Sequence, residues 1–589
     1  MSSQEIILKK EKAVGAIAIV TLFVLAAVPF AGDGSDPAIP KRVPASFPAT
    51  WRFPAGARAA FAAHAMVASD SRIASEVGAQ IMREGGNAVD AAVATGFALA
   101  VAYPEAGNLG GGGYMVIRLA DGRVAALDYR ETAPLAATRD MYVGADGKVT
   151  GESVIGPKAS GVPGAVAGMV EAHRRFGSLP LARVMAPAIR LAAEGFVVDS
   201  IFSRSLSSDR YRISNFDGKA VFFPSDSAPR IGSNFAHPVL ARTLRLIADS
   251  GAAAFYRGSI ADSIAVQMKR SGGLITREDL ARYRPIWRTP IRSTYRGYGL
   301  IAMPPSSSGG TTVTELLQIL EAYGPAEKFG SAERVHAVAS ASQRAFVDRN
   351  SKLGDPAFVK VPLSRLTSKT YARAVARTIS HTHADPTASL AQQLTEGSQT
   401  THYSVVDQKG NAVATTTTLN DLYGSGVYIS GAGFFMNDEM DDFTSKPGVP
   451  NMFGLIQGEA NAIAPGKRML SAMSPTIVLD PKGQLLLIVG ARGGPRIISA
   501  TSQVILNVID HRMSIADAMS APRIHHQSLP DSVRLESGGF EPAVIARLNQ
   551  MGHMTYELSG VASAEAIMRV RGGYEGMPDP RGRGAAVGF

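Results

Sequence analysis

Thr400 carries a hydroxyl at an abrupt change in the chain. A loop-like polar stretch over residues 380–399, with His381, His383, Pro386, Ser389, Thr395, Gly397 and Ser398, ends there, and a β-patterned run from Thr401 to Val406 begins. An internal threonine hydroxyl is a poor nucleophile at neutral pH. A threonine at a chain terminus carries its own base, the freed α-amine, whose pKa lies near neutrality at roughly 7.7–8.0. Making that terminus requires Thr400 Oγ to attack the carbonyl of Gln399, an acyl shift to an ester, and hydrolysis of the ester. Exposed polar segments tolerate such a break. The same residues also read as the plain start of a β-strand, and taken alone they leave both readings open.

Other chemistries are narrowed by what surrounds them. The chain has no cysteine, which excludes thiol nucleophiles, disulfides and Cys-ligated metals. His381 and His383 form an H-x-H pair without a carboxylate or third histidine nearby in sequence, so no metal and no cofactor is expected. The glycine run Gly110-Gly111-Gly112-Gly113 leads into the apolar strand Tyr114 to Leu119 rather than a helix. That is not a phosphate-cradling loop; it suggests backbone packed on backbone. Gly493-Gly494 before Pro495 reads as a helix start with Pro at its first position, leaving the glycine amides as candidate oxyanion donors. The net charge is +10, but Lys and Arg are scattered among Asp and Glu, so nucleic acid is not an expected partner.

These residues need elements to hold them. Ser71 to Glu84 reads as a helix stopped by Gly85-Gly86. Asn87 with Asp90 three residues on caps an Ala-rich helix to about Tyr103. Val124 to Asp128 is a second strand, running into Tyr129-Arg130-Glu131. Residues 163–320 alternate helical patterns with Pro/Gly turns, and further helices are expected at Thr311 to Tyr323 and Ser331 to Asp348. After Thr400 the pattern becomes β: hairpins around Asp407-Gln408-Lys409-Gly410 and Asp480-Pro481-Lys482-Gly483, then an apolar helix from Ile497 to His511. Helix-rich sequence followed by paired strands fits two sheets sandwiched between helical layers.

The N-terminus reads as an export segment. Lys9, Lys10 and Lys12 precede an apolar run from Ala13 to Phe30, which suits a signal peptide or an uncleaved membrane anchor over residues 1–31. A linker with Pro37, Pro40, Pro44 and Pro48 then fills 32–55, and the folded part is expected to begin near residue 55.

The motifs as a set resemble the γ-glutamyltransferase (γ-glutamyltranspeptidase) family of N-terminal-nucleophile hydrolases. They are Gln399 through Val405, the NDEMDDF stretch Asn437 to Phe443, Pro447 to Asn451, Leu470 to Thr476, Gly493-Gly494, Gly85 to Ala92, the glycine run, and Asp128 to Glu131. The resemblance spans residue 60 to the C-terminus. It implies an α/β fold of layered type, a four-layer αββα sandwich formed jointly by two fragments of one precursor: a large subunit over 56–399 and a small subunit over 400–589. It implies that Thr400 is both the processing residue, cut from Gln399, and the nucleophile, with Thr418 hydrogen-bonding its hydroxyl. Arg130 and Ser471 would bind the donor's α-carboxylate, and Asn420, Glu439 and Asp442 would surround its α-ammonium. Gly493 and Gly494 would supply the oxyanion site, with Phe453 in the lid.

Departures from the family pattern bear on acceptor preference and rate more than on reaction class. Ser471-Ala472 replaces a common pair of serines, worth about one hydrogen bond, roughly 0.5–1.5 kcal/mol. Glu439 stands where some members have Gln, Phe453 where many bacterial members have a lid Tyr, and Arg492 and Pro495 flank the two glycines where smaller residues are common. The expected activity is a self-processing γ-glutamyl transferase/hydrolase acting on glutathione and related amides. Transfer would be to water or to amino acid or peptide acceptors, in the periplasm or outside the cell. The rivals are a cephalosporin (glutaryl) acylase with the same Thr400, and a processed but catalytically silent binding protein.

Overall fold

The computed structural model describes residues 42–387 and 400–589. The export segment 1–31, the start of the linker and Gln399 lie outside the described residues. Seven strands of the two large sheets precede Thr400: β1 (Ala60–Ala62), β2 (Met66–Ser69), β3 (Gly112–Arg118), β4 (Val124–Tyr129), β5 (Ile286–Arg288), β6 (Ile291–Tyr295) and β7 (Tyr298–Ala302). Seven follow it: β8 (Thr401–Val406), β9 (Ala412–Thr418), β10 (Thr476–Leu479), β11 (Leu485–Arg492), β12 (Ser563–Val570), β13 (Gly573–Pro578) and β14 (Ala585–Gly588).

One sheet runs β14-β2-β8-β9-β3-β4-β5 and the other β1-β13-β12-β11-β10-β7-β6, each mixing strands from both sides of Thr400. The two sheets face each other through β8 and β9 against β11 and β12. The outer face of the first is covered by α1 (Arg72–Arg83), α2 (Ala88–Ala102) and α3 (Ala165–Phe176). The outer face of the second is covered by α4 (Gly309–Tyr323) and α6 (Arg496–Ile509), with α5 (Ala332–Lys352) packed on α4. This is the expected αββα sandwich.

Local chemistry explains the elements that carry the site. Asn87 Oδ1 accepts from the amides of Val89 and Asp90 at 2.8 and 3.0 Å, and Asp90 Oδ2 accepts from the Asn87 amide at 2.9 Å. Such a reciprocal cap is worth about 1 kcal/mol. Every residue of α2 is buried, which its run of alanines permits because small side chains let a helix lie close on both the sheet and α1. The β8–β9 hairpin turns at Gly410, whose φ of +83° suits only glycine well, with its amide donating to Asp407 O at 2.9 Å. The glycine run is a close-approach device. A Cβ on Gly110, Gly111 or Gly113 would collide with the carbonyl oxygens of Phe435, Thr418 and Thr416 respectively.

The structure departs from the sequence reading in three places. Residues 42–55 are not a free linker: the Val43 amide donates to Arg512 O, Trp51 is buried with its indole N–H on Ser520 O at 2.8 Å, and Phe47 packs on Phe329. The prolines there hold an extended strap while the aromatics between them find apolar surface. Strands β5–β7 lie inside a region read as helical, and β12–β14 went unanticipated. Pro495 sits at the N-cap of α6 rather than at its first helical position.

Candidate active site

Thr400 is the residue immediately before β8, and β8 pairs with β9 in the register Thr401↔Thr417. That register sets Thr400 beside Thr418. The Thr400 hydroxyl donates to Thr418 Oγ1 at 3.4 Å, and Thr418 Oγ1 accepts from the Asn420 amide at 2.7 Å. Both threonines are buried. Asn108, just before the glycine run, fixes the end of β9 by donating to Thr418 O and Thr417 Oγ1 at 3.0 and 3.2 Å.

After β9 the chain turns at Asn420, whose φ of +81° is rare outside glycine but tolerated by asparagine. Its side-chain amide donates to Asp438 O at 3.1 Å. Asn437 anchors the acidic turn that follows, donating to Gly110 O and Gly161 O at 2.7 and 2.8 Å and accepting from the Glu439 amide at 3.1 Å. The short helical turn Glu439–Asp442 thus faces the end of β4, where Arg130 projects.

Arg130 is fully buried. Its Nη1 lies 2.5 Å from Glu439 Oε2 and 3.4 Å from Glu131 Oε2, its Nη2 pairs with Asp442 Oδ2, and its Nε donates to Met469 O at 3.3 Å. Burial opposes the guanidinium charge, but Glu439, Asp442 and Glu131 together hold it above the ordinary arginine value. Three carboxylates share one cation here. Burial pushes Glu439 well above the carboxylate range and Glu131 up to about 7, each against the pull of Arg130. Asp442 is raised by burial too, opposed by Arg130 and Arg349.

A small cavity opens beside this cluster. It is lined by Thr400, Thr418, Asn420, Arg130, Asp442, Ser471, Phe453 and Gly494, among others. Of the residues singled out from sequence, Glu439 and Gly493 are not in the lining. Glu439 stands behind Arg130, so the acid expected at an ammonium is first an arginine partner. Gly493 and Gly494 have φ of +132° and +55°, and their carbonyls accept from the amides of Arg496 and Ile497 at the start of α6. Phe453 closes one side: a Cβ on Gly494 would stand 2.8 Å from its ring. The Phe453 loop is tied down by Asn451 Oδ1, which accepts from the amides of Phe453 and Leu455, both at 3.1 Å.

Several residues escaped the sequence reading. Arg349 of α5 lines the cavity. It lies three and four residues after the buried Phe346 and Ala345, so a charged residue falling on an apolar helix face was the available signal. Asp70 accepts from the Thr401 hydroxyl at 2.8 Å and pairs with Arg492 at 3.1 Å. That brace ties the residue next to Thr400 to the residue before Gly493. His381 and His383 are exposed, His381 stacking on Tyr323, and among the described residues no group of three or more His, Asp or Glu is placed to hold a metal.

Asp441 holds the loop that carries Phe453, accepting from Ser153 Oγ at 2.7 Å and from the Met452 amide at 2.9 Å. Burial raises its carboxyl from 3.8 to about 6 against these hydrogen bonds. The folded pKa lies above the unfolded one, so this group's contribution is complete below pH 3.8 and is lost as pH rises through 6. The difference in unfolding free energy between wild type and Asp441→Asn is therefore expected to shift by about 3 kcal/mol from pH 3.5 to pH 7, to the detriment of the wild type. Denaturant titrations at the two pH values measure it; a difference independent of pH would refute it.

The family profile described as Gamma-glutamyltranspeptidase matches residues 74–589. A glutathione hydrolase proenzyme of Escherichia coli is 44% identical over 88% of this chain and 90% of its own. A crystal structure of cephalosporin acylase from Bacillus halodurans superposes with a TM-score of 0.80 at 29% identity, covering 92% of this chain and 99% of that one. A crystal structure of Helicobacter pylori gamma-glutamyltranspeptidase superposes with a TM-score of 0.54 at 40% identity, over 58% of this chain and 99% of that one.

Proposed function

The chain belongs to the gamma-glutamyltranspeptidase family, and from that premise we propose that it is a self-processing enzyme that cleaves glutathione and other γ-glutamyl amides through an ester on Thr400. The observation that carries the reading is the Thr400–Thr418 hydroxyl pair at 3.4 Å in a cavity it shares with Arg130, Asp442, Ser471 and Gly494. In maturation Thr400 Oγ attacks the Gln399 carbonyl, the C–N bond breaks, and the Thr400 nitrogen leaves as an amine. Water then hydrolyses the ester, giving a Gln399 carboxylate and a free Thr400 α-amine. In turnover that amine takes the hydroxyl proton as Oγ attacks the donor's γ-carbonyl, and the proton passes to the departing amine. Thr418 orients the Thr400 hydroxyl, and amides of the Gly493–Gly494 turn receive the oxyanion.

Recognition follows from charge. The donor carries an α-carboxylate and an α-ammonium, and the cavity wall offers Arg130 and Ser471 for one, Asn420 and Asp442 for the other, with Glu439 behind Arg130 and Phe453 as cover. Water or an amino acid or peptide acceptor releases the acyl group. The two fragments, ending at Gln399 and beginning at Thr400, stay together as a heterodimer, a reading supported by sheets that interleave strands from both. The large fragment begins its packing by residue 42. The N-terminal segment exports the protein to the periplasm or cell exterior as a signal peptide or an anchor; among the described residues no helix is long and apolar enough to cross a membrane.

The fold likeness to a cephalosporin acylase favours a glutaryl amidase as the second reading. The test is a denaturing gel with a donor pair. Purified protein is expected to give two fragments meeting at residue 400, and to release aniline from γ-glutamyl anilide faster than from glutaryl anilide. Reversed donor preference would install the acylase reading, and a matured protein idle on both would install the silent binding protein.

A further inference from the structure

The two arginines of the cavity are held in opposite ways. Arg130 is saturated with anions: Glu439, Asp442 and Glu131 surround it. Arg349 is 1% exposed and has only neutral partners in hydrogen-bond contact. Its Nε donates to Ser308 Oγ at 3.2 Å, and its Nη1 donates to Gln457 Oε1 at 2.7 Å and Asn350 Oδ1 at 3.0 Å. Among the described residues its Nη2 makes no hydrogen bond. Burial draws its pKa down to about 10, with Asp442 the charge that opposes this, so the side chain remains a cation at neutral pH.

A buried guanidinium without a bonded anion is an expensive thing to keep, since each charge taken out of water costs several kcal/mol until a partner completes it. The fold spends several contacts on keeping it. Ser308, which accepts from Arg349, sits at the N-cap of α4 and donates through both its amide and its hydroxyl to Ser471 O, at 2.7 and 2.5 Å. Gln457, which accepts from Nη1, donates in turn to Asp442 O at 3.1 Å. Arg349 is thus locked between the Ser471 and Asp442 walls of the cavity, with Nη2 left over.

We propose that Arg349 is a substrate-binding residue, a second cation that meets the α-carboxylate of the γ-glutamyl donor alongside Ser471 and so selects donors that carry that carboxylate. The inference rests on the γ-glutamyl reading above. The two cations differ in what they have to offer: Arg130 is already bonded to Glu439, Asp442 and Glu131, while Arg349 brings a positive charge that no protein carboxylate bonds among the described residues.

The test compares Arg349→Gln with wild type on three anilide donors: γ-glutamyl, glutaryl, which lacks the α-ammonium, and 4-aminobutyryl, which lacks the α-carboxylate. A charged hydrogen bond lost at this site is expected to lower kcat/KM by roughly 30-fold on the first two donors and to leave the third within about threefold. Equal losses on all three, or no loss on any, would overturn the assignment in favour of a structural arginine. Formation of the two fragments reports folding of the variant. Should Arg349→Gln fail to mature, Arg349→Lys, which keeps the charge, is expected to raise KM on the two carboxylate-bearing donors only; a rise on all three overturns the proposal equally. A wild type idle on γ-glutamyl anilide would instead sink the activity on which the inference rests.

Discussion

Thr400→Ala is expected to run as one uncut chain and to release no aniline from γ-glutamyl anilide under conditions that cut the wild type in two. Both effects trace to one oxygen. Without Oγ the Gln399 carbonyl has no internal attacker, so the α-amine that would serve as the base is never freed. Even a fragment pair assembled by other means would lack the atom that forms the ester. Removing a nucleophile that acts as a unit with its base costs on the order of 10⁴- to 10⁶-fold in kcat. The fold should survive, because Thr400 lies outside β8 and its loss opens a cavity wall rather than the core. Thr400→Ser supplies the discriminating control: it keeps the hydroxyl and should mature, at a reduced rate, and recover activity. A cut and active Thr400→Ala would refute the nucleophile assignment outright. An uncut Thr400→Ala with an unfolding midpoint far below that of the uncut wild-type precursor would point to a structural role.

How far the chain could be read without its structure depends on the range of the interactions involved. Capping at Asn87 and the hairpin turns at Gly410 and Gly483 are decided by residues a few positions apart, and these were legible; the glycine run announced a close approach, but not the distant backbone of Thr416, Thr418 and Phe435 that it meets. Strands β5–β7 were not: IWR of β5 is a strand against the edge of β4 and YGLIA of β7 against β10, while IRSTY of β6 pairs, among the described residues, only with β7. The Gly-rich β13 has little strand propensity of its own and depends on β12 and β1 on either side. The same distinction governs the site. Arg130, Asp442, Ser471 and Gly494 sit in motifs and could be named, whereas Arg349 lies in a helix whose sequence advertises only amphipathicity. Its place in the cavity is set by contacts to Ser308 and Gln457, which are 41 residues before it and 108 residues after it. That Glu439 turns to Arg130 was equally invisible, because both charges appear in sequence as free to meet a ligand.

Replacing Arg130 by methionine tests that cluster through stability as well as turnover. Methionine fills much of the volume and removes the only cation bonded to Glu131, Glu439 and Asp442 among the described residues. Breaking a buried pair from one side costs about 3–5 kcal/mol because the remaining charge is stranded. The carboxylates can escape that penalty by taking up protons, and this gives the prediction its sign. In the wild type, burial already lifts Glu131 from 4.5 to about 7 with Arg130 pulling the other way; without the arginine all three acids are lifted further. Groups whose folded pKa lies above the unfolded one contribute stability below the unfolded value and lose it as pH rises through the folded value. The gap in stability between wild type and Arg130→Met should therefore be small at pH 4.5 and widen to several kcal/mol by pH 8. Denaturant midpoints on the uncut Thr400→Ala background measure this without interference from processing. Arg130→Lys, which restores a charge but not the fork that reaches two acids at once, should close part of the gap at pH 8 and little of it at pH 4.5. A gap of equal size at both pH values would mean that Arg130 stabilises by packing. The acids would then be free to serve a donor's ammonium without an arginine to hold them.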